Sequence, residues 1–147
     1  MIRLTAFALC LASPAVAQEI GTCDDYRSSV AMLAEPWEEN TKVFGEGEVR
    51  LAVIDTFEPA AGAFHLVILS PPYDEAGFGQ CALVSSDTGT GFAGLNIAGI
   101  TSTGDMATGL AFTIPATRWI SDSDTYVDAV LNVTLNPTSG AITAKLD

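Results

Sequence analysis

The run Phe64-His65-Leu66-Val67-Ile68-Leu69-Ser70-Pro71-Pro72 restricts the possible folds more than any other stretch of this chain. It is almost wholly apolar and too short for a free-standing helix, and Val67 and Ile68 are β-branched. The two prolines that close it continue neither a helix nor a β-ladder. It therefore reads as a strand buried on both faces. Similar runs flank it, from Glu48 to Phe57 and from Gln80 to Ser86, so the middle of the chain reads as three successive antiparallel strands.

The remaining segments extend the same pattern. Strands are expected at Phe92 to Ile100, Gly109 to Pro115, Tyr126 to Leu135 and Ala141 to Leu146, separated by Gly, Asp, Ser, Thr and Pro signals. In Tyr126 to Leu135 the alternation places Val127, Ala129, Leu131, Val133 and Leu135 inward and Asp128, Asn132 and Thr134 outward. The one helical signal lies at about 24–35, where Tyr26, Val30 and Leu33 recur at i, i+4 and i+7 before Pro36. The expected fold is mainly β: an antiparallel meander of seven to eight strands with one N-terminal helix. Its form would be an up-and-down barrel or a strongly curved sheet, with a β-sandwich as the alternative. The helix would cover an open face or plug one end, with Trp37 and Phe44 joining the core.

The start of the chain gives an address. Met1-Ile2-Arg3 is a short basic opening, Leu4 to Leu11 is apolar, and Ala15-Val16-Ala17 is an A-x-A cleavage site. Residues 1–17 read as a secretory signal peptide of bacterial type, and 18–147 as a single domain that is secreted or periplasmic. No later run approaches the roughly 20 apolar residues of a spanning helix. The full chain carries a net charge of −12, and Arg3 is the only charged residue that cleavage removes. Such a field repels phosphate backbones, so nucleic acid is not an expected partner. Cleavage also removes Cys10, leaving Cys23 and Cys81 to pair in an oxidising compartment. The competing reading keeps one thiol free as a nucleophile beside His65.

Several short motifs dissolve on inspection. Asp87-Thr88-Gly89 matches the aspartic-protease triplet, but no second copy supplies the partner carboxylate, and a D-T-G-T-G string between strands is hairpin chemistry. Gly89-Thr90-Gly91-Phe92-Ala93-Gly94 spells G-x-G-x-x-G, yet a β pattern follows where a phosphate-binding helix is required. Asp122, Ser123, Asp124 and Asp128 lack the spacing, Gly and Glu of a calcium loop. Asn132-Val133-Thr134 is a glycosylation sequon, which a bacterial signal makes irrelevant. No metal site and no cofactor are expected.

Two functional expectations remain. The first is an exported, non-catalytic binding or envelope-accessory module for an unidentified small molecule or protein, with Tyr73, Asp74, Phe78 and Trp37 as candidate contacts. Its centre is the loop from Pro71 to Gly79, which carries two aromatic residues without a place in a strand face and is held by prolines at one end and Cys81 at the other. Those rings either stand exposed as a contact patch or fold back as a plug. The alternative is a small secreted hydrolase using His65 with a nearby acid, Asp55 being the candidate. Ser70 is a poor nucleophile for it, about 16 Å along the same strand and facing the other way.

Overall fold

The computed structural model describes residues 17–147. The expected signal peptide therefore lies, except for Ala17, outside the described residues. The described residues form ten strands: β1 (Glu19–Thr22), β2 (Thr41–Phe44), β3 (Val49–Asp55), β4 (Phe64–Tyr73), β5 (Gly79–Ser85), β6 (Gly94–Leu95), β7 (Thr101–Asp105), β8 (Gly109–Ile120), β9 (Thr125–Leu135) and β10 (Ile142–Leu146). Among the described residues they form two antiparallel sheets and no closed barrel. The first runs β1-β5-β4-β3-β2 and the second β10-β9-β8-β6, with β7 also paired to β8. The two-sheet arrangement fits the sandwich alternative and excludes the closed meander.

The expected central run is the middle strand of the first sheet. Leu66 and Ile68 face a core shared with the second sheet, to which β8 and β9 contribute Phe112, Ile114, Leu131 and Val133. Its other face, with His65 and Val67, is also buried. β4 does not stop at Ser70 but continues to Tyr73, with a register irregularity between those residues that accommodates Pro71 and Pro72. The side-chain amide of Gln80 donates to Ser70 Oγ, the Pro71 carbonyl and the Gly140 carbonyl, so one side chain secures the irregular end of the ladder to the β9–β10 turn.

The N-terminal helix expected at 24–35 is not formed; the described residues contain only short 3₁₀ turns there, Tyr26–Ser28 and Val30–Met32. Local side-chain bonds explain the difference. Asp25 accepts from the Arg27 amide and Ser29 Oγ from the Ala31 amide, while Ser29 itself is extended at φ −63°, ψ 139°. Beyond the turns, Leu33 bridges to Ile54 and the Ala34 amide donates to the Val53 carbonyl, pulling the chain out as an extended segment. Tyr26 and Val30 are 68% and 72% exposed, so of the three periodic residues only Leu33 packs against the sheet. Trp37 is exposed rather than in the core, whereas Phe44 packs on Phe112 with ring centroids 4.8 Å apart.

The segment still covers a sheet face. The Cys23–Cys81 disulfide, with Cα atoms 5.6 Å apart, pins it to β5. Met32, Leu33 and both cysteines pack over Ile54, Val67 and Leu83 on the outer side of the first sheet. The expected strand at 92–100 shrinks to β6, since Asn96 caps a 3₁₀ turn at Ile97–Gly99. Gly91 permits the crossing just before it: a Cβ there would stand 2.3 Å from the Phe64 carbonyl oxygen.

Candidate functional site

The loop between β4 and β5 is built by Asp74. Its Oδ1 accepts from the amides of Ala76 and Phe78 at 2.9 and 2.8 Å, and its own amide donates to the Phe78 carbonyl. Gly77 supplies the left-handed residue of the turn at φ +85°. Asp74 thus shapes the loop, while Tyr73 and Phe78 stand 52% and 71% exposed. They do not fold back as a plug.

Between these rings and the β2–β3 turn lies an open cleft of about 290 Å³, lined by Gly47, Glu48, Arg50, Leu69, Ser70, Tyr73, Phe78 and Gly79. Its floor follows from register. Arg50 and Leu69 are direct cross-strand partners, and both face outward because Val49, Leu51, Ile68 and Ser70 alternate inward. Leu69 is partly exposed, and Arg50 is anchored by Nε donating to the Gly47 carbonyl at 3.4 Å. The cleft thus combines two rings, one aliphatic floor residue, a guanidinium and the Glu48 carboxylate. Sequence reading singled out the rings but missed Arg50 and Leu69; the alternation in β3 already placed Arg50 on the outer face, whereas the unbroken apolar run of β4 marked no face for Leu69.

Trp37 does not join this group. It belongs to the turn after Pro36, where Thr41 Oγ1 donates to its carbonyl, and lines a separate cleft with Glu35, Pro36 and Glu38.

His65 stands elsewhere on the same sheet face, 1% exposed, beside the Ile54 and Val67 on which the disulfide-held segment packs. Its Nδ1 shares a hydrogen bond of 2.9 Å with the equally buried Ser85 Oγ. The expected Asp55 partner is absent from this position. β3–β4 register sets Ile54 opposite His65 and Asp55 opposite Phe64, so the carboxylate points to the other face and accepts from the Phe57 amide. The charged groups that act on His65 are Arg27, Asp25 and Glu19. Arg27 donates from Nε and Nη2 to Asp25 Oδ2 at 2.8 and 2.6 Å, which holds the Asp25 carboxyl below its ordinary value. Arg27 Nη1 is buried and, among the described residues, has no partner. Glu19 Oε2 accepts from the Gly89 amide of the D-T-G-T-G turn.

Burial is the main reason that His65 titrates below the ordinary imidazole value, and the Arg27 charge adds to it. The unfolded chain then binds this proton more readily than the folded one. Stability from neutral His65 is complete above the ordinary value of 6.5 and falls as pH drops from there through the lowered folded value. The loss is at most about 1.4 kcal/mol per pH unit within that window. Urea midpoints at about pH 7 and about pH 5 are expected to differ less in His65→Gln than in the wild type. An equal difference in both would assign the dependence to other groups.

Among the described residues no group of three His, Cys, Asp or Glu side chains is placed to hold a metal ion, and no helix is long and apolar enough to cross a membrane. Compared with known protein families, curated proteins and solved structures, the chain matches none.

Proposed function

We propose that this protein is an exported, secreted or periplasmic β-sandwich that acts as a non-catalytic binding or envelope-accessory module. A small molecule or protein segment is taken in the cleft between Tyr73, Phe78, Arg50 and Leu69. The carrying observation is the pair of exposed rings beside a cleft on a rigid sheet, since a monomer gains nothing in stability from leaving two such rings in water. The loop is organised before any partner arrives: Asp74 bonds three backbone groups across it, and the disulfide joins β5 two residues after Gly79. Little entropy is then lost on binding. The disulfide and the absence of a spanning helix among the described residues are compatible with the address.

The test is the double substitution Tyr73→Ser with Phe78→Ser. Because neither ring is core, melting temperature is expected to hold within the usual range for surface changes, about 0.5 kcal/mol, while capture of a partner in a pull-down is lost. A clear fall in melting temperature with capture intact would make the rings packing residues and remove the site.

A second reading rests on the Ser85–His65 hydrogen bond: a small hydrolase in which His65 serves Ser85, with Asp25 or Glu19 as the nearby acid. Both side chains are buried, so this chemistry requires the disulfide-held segment to lift. Wild type and His65→Gln assayed together on ester, peptide and glycoside panels separate the two. Turnover in the wild type that the variant lacks would replace the binding-module reading.

A further inference from the structure

We propose that Gln18, freed as the N-terminal residue by cleavage after Ala17, closes into a pyroglutamyl lactam that caps the chain against β10. This rests on the export reading above, because only cleavage at that bond gives Gln18 a free α-amine. The closure is internal. The α-nitrogen attacks Cδ of its own side chain, the N–Cδ bond forms, the Cδ–Nε2 bond breaks, and Nε2 leaves as ammonia with a proton from the amine. No oxidant or co-reactant is needed.

The structure supports this through the atoms that Gln18 uses. Its backbone N donates to the Ala144 carbonyl at 3.3 Å, and its Oε1 accepts from the Leu146 amide at 2.5 Å, both on β10. The lactam keeps both atoms: the ring nitrogen retains one hydrogen, and Cδ retains its carbonyl oxygen. Nε2, the atom lost, makes no hydrogen bond among the described residues.

Pairing at the strand edge also tolerates the cut. Ala17 bridges to Lys145, a bridge that cleavage removes, and the next amide along β10 is that of Leu146. Gln18 Oε1 stands on that same amide, so removing residues 1–17 leaves Leu146 with an acceptor. The next residue, Glu19, already belongs to the other sheet, opposite Ser85. The capped residue is therefore a stitch between the two sheets rather than a loose end.

The experiment is intact-mass and N-terminal peptide mass spectrometry on the full chain, leader included, expressed for export and purified from the periplasm. The expected product begins at residue 18, is lighter than the unmodified chain by one ammonia, and resists stepwise N-terminal degradation. Gln18→Glu, which keeps an acceptor but cyclises far more slowly, is expected to be unblocked and to keep Leu146 protected in hydrogen exchange. Gln18→Ala is expected to speed exchange of that amide roughly five- to tenfold, the equivalent of one hydrogen bond. A product that begins at Gln18 and keeps its full mass after long incubation at neutral pH overturns the lactam and leaves export standing. A periplasmic product that retains residues 1–17, or is cut elsewhere, overturns the cleavage reading and the lactam with it.

Discussion

Phe112→Ala is expected to destabilise the protein by about 3–5 kcal/mol, the range for truncating a fully buried aromatic residue. Phe112 sits on β8 in the second sheet, is 1% exposed, and meets the ring of Phe44 from the edge strand of the first sheet. Truncation thus removes contacts between the sheets as well as within one. Urea unfolding should show a lower midpoint with an unchanged slope, because the surface exposed on unfolding barely changes. A loss below about 1 kcal/mol would mean that the sheets close over the vacancy, and that the core is not jointly packed.

Removing the disulfide with Cys23→Ser and Cys81→Ser should cost about 4 kcal/mol, given the 58-residue separation that it closes. At a few degrees per kcal/mol, the melting temperature falls by roughly 10–20 °C. The effect reaches beyond chain entropy. The bond holds the segment that packs over Ile54, Val67 and Leu83, the first of these being the cross-strand partner of the buried His65. Lifting that segment should return His65 towards ordinary imidazole titration, so the acid sensitivity described above weakens in the double variant. Equal melting of the wild type with and without a reductant would show that the bond does not form.

What could be read from the sequence was what is local. The apolar run at Phe64, its two neighbours and the alternation in β9 mark strands because burial on a pleated surface is written at a period of two. The disulfide followed from elimination. What could not be read depended on partners distant in the chain. β1 pairs with β5 and β6 with β8, and no short stretch of residues states that, so a closed meander and two sheets look alike in sequence. The turn signals at Pro59 to Gly62 did not fix the β3–β4 register, and one residue of slip separates Asp55 from the face that His65 occupies. Ser85 emerges as the neighbour of His65 only once β4 and β5 are aligned. The helical period in Tyr26, Val30 and Leu33 was genuine but outweighed by serine and aspartate bonding to their own backbone and by the pull of a disulfide on an extended chain.

The same distant pairing fixes an order of events. A chain emerges N-terminus first, yet Gln18 is joined to Leu146 across a separation of 128 residues, and β1 waits for β5. The first residues to appear are thus among the last to find their places. Loop closure over such a distance adds little to the equilibrium cost, since that cost grows only with the logarithm of length, but it slows the search. Until β10 arrives the edge of β9 stands open to other chains, and until β1 docks so does that of β5, so the protein is most exposed to aggregation before these two strands take their places.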